Sequence, residues 1–257
     1  MDVVRDFRCF NSRMPAGGEA KNEIIQLPVH RDRELRGTNM ESTNNENTAI
    51  SVKNLIKRFS EETVLKGITL DFERGRIHGI VGNNGSGKTV FFKCICGFLV
   101  PDEGEVFVEG KQIGKDMDFP ESIGLIIEEP GFLPNFSGFK NLKLLAALRG
   151  KISDEKIKDI ITLVGLDPKS RKHVGKYSLG MKQRLGIAQA IMEDPTLLIL
   201  DEPFNGLDKN GIAEMRELIK GLREEGKTIL IASHNQTDID ELCDTVHEME
   251  AGILNTK

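Results

Sequence analysis

The sequence predicts an α/β fold: a mostly parallel sheet with an antiparallel β-hairpin region and an inserted α-helical subdomain. Three observations predict it. Short apolar runs at 76–81, 122–127, 197–200 and 228–232 read as buried strands. A glycine-rich loop, Gly82-Asn-Asn-Gly-Ser-Gly-Lys-Thr89, joins the first of them to a helix. A long helical pattern from Ser137 to Ala190 then interrupts the alternation of strand and helix before Leu197.

Residues 1–48 mix Arg, Glu, Asn and Gly without apolar periodicity and end in the polar run from Met40 to Thr48. Such a segment buries too little surface to offset its ordering entropy, so a disordered tail is expected, with Met40 an alternative start. Residues 49–257 form the expected folded domain. Ile50–Phe59 and Thr63–Phe72 read as a hairpin turning at Ser60-Glu61-Glu62. Arg76–Val81 is a short apolar strand, and Lys88–Cys96 a helix stopped by Gly97. Glu105–Val108 and Lys111–Ile113 make a small hairpin about Glu109-Gly110. The helical subdomain is expected over approximately 131–188, with Ser153 a good N-cap ahead of Asp154 and Glu155. Glu214–Glu224 is an amphipathic helix between the last two predicted strands.

The bulk numbers narrow the function classes. The chain has 257 residues, 39% hydrophobic and 29% charged, ordinary for a globular protein. A formal charge of -5 offers no field that favours nucleic acid. No apolar run approaches the ~18 residues that span a bilayer, and the first residues lack the apolar segment of a secretory signal. Cys9, Cys94, Cys96 and Cys243 make neither a metal-ligand nor a disulfide pattern, and read as core cysteines of a reducing compartment.

Gly82–Thr89 matches the phosphate-binding loop of P-loop nucleotide hydrolases, in its required setting between strand and helix. The glycines Gly82, Gly85 and Gly87 let the backbone curl, so that N–H groups from Asn83, Asn84 and Ser86 onward point at phosphate oxygens. Lys88 supplies positive charge to the β- and γ-phosphates and Thr89 a hydroxyl to Mg²⁺. Leu197-Leu-Ile-Leu-Asp-Glu202 is an apolar strand ending in two carboxylates. Asp201 suits the Mg²⁺ ion beside Thr89, and Glu202 suits orienting or deprotonating the attacking water. Two solvated strand-capping acids are the plainer alternative.

The octet Tyr177-Ser-Leu-Gly-Met-Lys-Gln-Arg184 adds a second feature. With it, residues 49 to about 252 resemble the nucleotide-binding subunit of ATP-binding cassette (ABC) transporters. The family's L-S-G-G-Q motif falls on Tyr177–Met181, keeping Ser178 and Gly180, the positions that meet a γ-phosphate, and departing at Leu179 and Met181. The resemblance implies further roles. Phe59 would stack on adenine, or else serve as a hairpin core residue. Asn205-Gly-Leu-Asp208 would join the two sites across a dimer, with Asp208 near nucleotide; an ordinary Asn-Gly turn is the alternative. His234 would contact the γ-phosphate. Glu128 stands where most relatives carry a glutamine that senses Mg²⁺; a carboxylate can still ligate Mg²⁺, or it is a solvent-facing acid beside Glu129. Val90 replaces a frequent second hydroxyl.

The pattern from Glu128 to Gly138, with Asn141-Leu142 and Tyr-Ser-Leu-Gly-Met, is similar to exporters of antimicrobial peptides such as bacitracin and lantibiotics. The resemblance implies an ATP-hydrolysing subunit using ATP and Mg²⁺, paired with a second cassette (a homodimer, or a heterodimer) and powering a separate transmembrane permease. It would lie in the cytoplasm, peripheral to the membrane and touching it only through that permease. The apolar cluster Phe132, Leu133, Phe136 and Phe139 is either a groove for the permease or core packing. Two other functions fit less of the pattern: a soluble cassette ATPase acting on ribosomes or DNA, and a low-turnover regulatory subunit.

Overall fold

The computed structural model describes residues 47–128, 130–150 and 152–257. The expected tail therefore lies outside the described residues except for Asn47 and Thr48. Thr48 belongs to the first strand, so the folded part begins one residue earlier than expected.

Two sheets form. Strands β1 (Thr48–Phe59), β2 (Glu62–Glu73), β4 (Glu103–Val108) and β5 (Lys111–Gln112) make an antiparallel sheet in the order β2-β1-β4-β5. The second sheet has the order β10-β9-β3-β8-β7-β6. Its members are β3 (Ile77–Val81), β6 (Ile123–Ile126), β7 (Leu197–Asp201), β8 (Thr228–Ala232), β9 (Thr245–Glu250) and β10 (Ile253–Thr256). All its pairings are parallel except that of β10 with β9.

Strands β7 and β8 are buried at every position, because both faces of the sheet are covered. Alternation sorts their side chains into two cores. Leu198, Leu200, Ile229 and Ile231 face one core, with residues of the helices α2 (Gly138–Arg149), α3 (Asp154–Leu163), α4 (Leu179–Ile191) and α5 (Lys209–Glu224). Leu197, Ile199, Leu230 and Ala232 face the other, shared with the antiparallel sheet and α1 (Lys88–Ile95). The phosphate loop and the Asp201-Glu202 pair thus emerge at the C-terminal ends of β3 and β7, the two parallel strands that flank β8, the edge where such sheets hold ligands.

The long helical pattern resolves into α2, α3, a 3-10 turn at Val174–Lys176, and α4. Gly150, in the left-handed conformation, ends α2, and Ser137 and Ser153 accept N-cap bonds from Lys140 and Lys156. Helix α5 starts at Lys209, five residues before the amphipathic pattern becomes legible, capped by Asp208. Helix α6 (Gln236–Leu242), β9 and β10 escape the sequence reading altogether. The core-facing positions of β9 are His247 and Met249, so its apolar alternation is masked by a histidine. Cys94, Cys96 and Cys243 are free, and burial pushes each thiol up to about 12, in keeping with inert core cysteines.

That histidine belongs to a buried polar chain. His78 Nε2 lies 2.8 Å from the Glu73 carbonyl, which can only accept, so His78 Nδ1 accepts from Thr245 Oγ1 at 2.6 Å. Thr245 in turn accepts from His247 Nε2 at 3.3 Å, and Thr256 donates to His247 Nδ1 at 3.2 Å. Burial pushes His247 down to about 4, with His78 adding a smaller push, and burial lowers His78 too. The folded protein therefore keeps both rings neutral where the unfolded chain, titrating near 6.5, binds protons. Stability present above pH 6.5 is lost as the pH falls towards 4. Urea unfolding should show a loss of about 2–3 kcal/mol attributable to His247 across that window. A His247→Gln variant should lose correspondingly less between pH 7.5 and 4.5; parallel losses in both proteins would refute the assignment.

Candidate functional site

The loop between β3 and α1 is shaped by Gly87, the N-cap of α1. Its φ of 113° is barred to other residues, and a Cβ there would stand 3.0 Å from Leu65 Cδ2. The turn leaves the first N–H groups of α1 without intrahelical partners at the loop. The Ser86 hydroxyl is buried and has no hydrogen-bond partner. Lys88, itself buried, donates from Nζ to the carbonyls of Gly82 at 2.6 Å and Asn83 at 3.1 Å. An orphaned hydroxyl, a helix N-terminus and an ammonium group at one loop fit a phosphate chain.

The acidic side comes from β7. Thr89 Oγ1, in the first turn of α1, donates to Asp201 Oδ2 at 2.6 Å. Burial raises the Asp201 carboxyl above its usual range; the Thr89 bond opposes this and the charge of Glu128 adds to it. Among the described residues no group of three or more His, Cys, Asp or Glu could hold a metal ion. Thr89 and Asp201 instead offer two hard oxygen donors, the partial set that suits Mg²⁺ completed by phosphates and water.

Glu202 follows with a left-handed backbone, φ 52°, its N–H donating to the Ala232 carbonyl at 2.9 Å. This turn out of the strand brings Glu202 Oε2 within 2.8 Å of His234 Nδ1. Glu128, also left-handed at φ 62°, does not stand alone as an added carboxylate. Its Oε1 lies 2.6 Å from Nζ of Lys93, one turn beyond Thr89 on α1. Lys93 thus balances the charge that distinguishes Glu128 from a glutamine. Sequence reading missed Lys93, although its i+4 spacing from Thr89 was the available signal. It also missed Gln183, buried on α4, which donates to the Glu202 carbonyl at 3.2 Å.

Lys88, Thr89, Glu128, Gln183, Asp201 and Glu202 line one cleft of about 680 Å³, together with Phe132, Leu179 and Lys182. Phe59, Ser178, Gly180, Asp208 and His234 do not line it. Phe59 sits at the end of β1, 44% exposed, under the ammonium of Lys57 at 5.5 Å; that exposure rules out the hairpin-core alternative. Ser178 caps α4, accepting from the Met181 N–H at 3.2 Å and keeping its own proton to donate. Gly180 lies against the Asn205–Asp208 loop, where a Cβ would meet the Gly206 carbonyl at 2.7 Å. Gly206, at φ 75°, is covered by Leu179, whose Cγ would be 2.4 Å from an added Cβ. Asp208 accepts from the Gly211 N–H at 2.9 Å as the cap of α5. One chain therefore gathers a phosphate loop and an acid pair with a histidine beside it, while Ser178 and Gly180 stay off the cleft that their neighbours Leu179, Lys182 and Gln183 help to line.

A family model described as ABC transporter matches residues 65–205. The chain is 46% identical over 207 residues to an uncharacterized ABC transporter ATP-binding protein, YybJ, of Bacillus subtilis (strain 168), spanning 80% of this chain and 95% of the relative. It is 44% identical over 207 residues to the bacitracin transport ATP-binding protein BcrA of Enterococcus faecalis, spanning 80% of this chain and 67% of that protein. The fold matches the dimeric bacterial ABC transporter cassette MJ0796 with a TM-score of 0.73, at 24% identity and over 80% of this chain and 96% of that one.

Proposed function

Because the chain belongs to the ABC transporter family of ATP-binding, ATP-hydrolysing cassettes, we propose that it powers a separate permease exporting an antimicrobial peptide or drug. Its site would work as half of a shared one. The phosphate-loop N–H groups, Ser86 and Lys88 hold the β- and γ-phosphates, and Phe59 flanks the adenine. Thr89 and Asp201 would hold Mg²⁺, with Glu128 beside them; the ion would supply positive charge against the phosphates. Glu202 takes the proton of the attacking water, and His234 fixes the carboxylate that does so. Ser178 and Gly180 close the site of a second cassette, a second copy of this chain being the simplest partner, with Asp208 near the junction.

The observation carrying this reading is the division within one chain: Lys88, Thr89, Asp201 and Glu202 share a cleft that Ser178 and Gly180 do not line. No helix among the described residues is long and apolar enough to cross a membrane, in keeping with a cassette held at the cytoplasmic face by its permease. In this reading residues 49–257 are the ATPase domain and the helical subdomain near 131–188 is the part the permease grips. The bacitracin transport named for BcrA supports the substrate class. Steady-state phosphate release, measured on the purified chain with and without co-purified permease, tests it. Release stimulated by the permease is expected. Bound nucleotide without release in either case would favour a regulatory subunit, and stimulation by ribosomes or DNA a soluble ATPase.

The apolar cluster after Glu128 divides. Phe132 and Phe139 pack against the core of the helical layer, whereas Leu133 is 39% exposed. Leu133→Asp should keep the basal ATPase rate yet lose at least ten-fold in affinity for permease-containing membranes, about 1.4 kcal/mol. Unchanged co-sedimentation would place the permease contact elsewhere.

A further inference from the structure

Behind His234 lies a charged network that the chemistry above does not use. The Asp238 side chain, on α6, is only 3% exposed. Burial of a carboxylate is costly unless it is paired and its oxygens are satisfied, and here both are. Oδ1 accepts from Arg216 of α5, through Nε at 3.2 Å and Nη2 at 2.5 Å. Oδ2 accepts from the Ser233 hydroxyl at 3.1 Å, and that hydroxyl oxygen accepts from the Asn235 N–H at 3.1 Å. The two residues flanking His234 are thus both tied to one buried carboxylate. Arg216 also reaches Glu241 through Nη1 at 2.5 Å, which fixes the guanidinium against α6 on its other edge.

The geography gives this network a task. Ser233 directly follows β8, whose last residue, Ala232, accepts the Glu202 N–H. His234 therefore leaves the sheet beside the carboxylate it contacts, and its backbone direction is set by Ser233 and Asn235. Arg216 belongs to the helix whose first turn is capped by Asp208. The Asn205–Asp208 loop is thus tied to α5 by its cap, and α5 to α6 by the Arg216–Asp238 pair.

We infer that Ser233, Asp238 and Arg216 are positioning residues that aim the His234 ring at Glu202, and that couple this aim to the Asn205–Asp208 loop through α5. The inference rests on the ATPase reading. A neutral, well-packed contact would hold α5 against α6 equally well; a carboxylate with one oxygen for each side links the helix to the histidine loop specifically.

Ser233→Ala is the mildest test, because it removes the hydroxyl's bonds to Asp238 and from Asn235 while Asp238 keeps its arginine. The variant should fold, bind a fluorescent ATP analogue as the wild type does, and show an unchanged KM with kcat lowered about 10-fold, a loss of orientation rather than of binding. Ser233→Thr, which keeps the hydroxyl, should restore kcat. Ring nitrogen resonances of His234 in histidine-labelled protein should move in Ser233→Ala and Asp238→Asn and return in Ser233→Thr. A Ser233→Ala variant with wild-type kcat and an unmoved His234 ring would make the network structural only and overturn the inference, as would a loss expressed wholly in KM. A wild-type chain that releases no phosphate would instead overturn the ATPase reading, while the ring resonances still report whether the network positions His234.

Discussion

Glu202→Gln lowers the rate of ATP hydrolysis by about 10²–10⁴-fold, the range for loss of a positioned general base, while ATP still binds. Glutamine preserves the length of the side chain, and its amide can still meet His234 Nδ1, now 2.8 Å from Glu202 Oε2. It cannot accept the proton of the attacking water. The left-handed backbone at φ 52° is unaffected by the exchange, so no folding defect confuses the result. Because phosphates bridge two chains in the proposed assembly, the variant also accumulates ATP-bound dimers, visible by light scattering after size exclusion. Turnover within three-fold of wild type would remove Glu202 from the chemistry; monomers at saturating ATP would count against the shared site.

Lys88→Met costs about 100-fold in ATP affinity, near 2.7 kcal/mol, from loss of a charge-assisted contact to phosphate. Nζ of Lys88 also donates to the Gly82 and Asn83 carbonyls, so the variant loses about 1–2 kcal/mol of stability without nucleotide. The two effects separate in thermal unfolding. Wild-type protein gains stability with rising ATP in proportion to the logarithm of its concentration. The variant starts lower and stays nearly flat until ATP is far above the wild-type dissociation constant. A parallel rise in both proteins would mean that Lys88 supports the loop without holding phosphate.

Local patterns carried most of the fold and the middle of the site. The phosphate loop is legible because strand, glycines, lysine and helix follow one another within about a dozen residues, each constraining the next. The acid pair is legible because Asp201-Glu202 ends a run of four aliphatic residues. What escaped depends on partners distant in sequence or on apolar signal that is absent. Lys93 and Glu128 meet across 35 positions, and Arg216 and Asp238 across 22. Strand β9 gives one core-facing place to a histidine whose polar partners, Thr245 and Thr256, lie on its own hairpin. The single long helical pattern split into three helices because Gly150 and the polar stretch from Asp167 to Lys172 stop it, and periodicity alone does not weigh such stops. Glu128 reads as an uncompensated acid in the sequence; only the fold supplies its lysine.

The contact between Leu179 and Gly206 bears on how this sequence can drift. A Cβ at 206 would overlap Leu179 at its Cβ, Cγ and Cδ2, and the backbone there is left-handed at φ 75°. Substitution at 206 is therefore closed while a leucine occupies 179, and a smaller residue at 179 would remove the overlap with Cγ and Cδ2 but neither that with Cβ nor the backbone requirement. The two positions form a one-way gate: 179 is free to shrink first, whereas 206 has no acceptable first move. A library randomised at both sites should recover glycine at 206 almost invariably, with variety confined to 179.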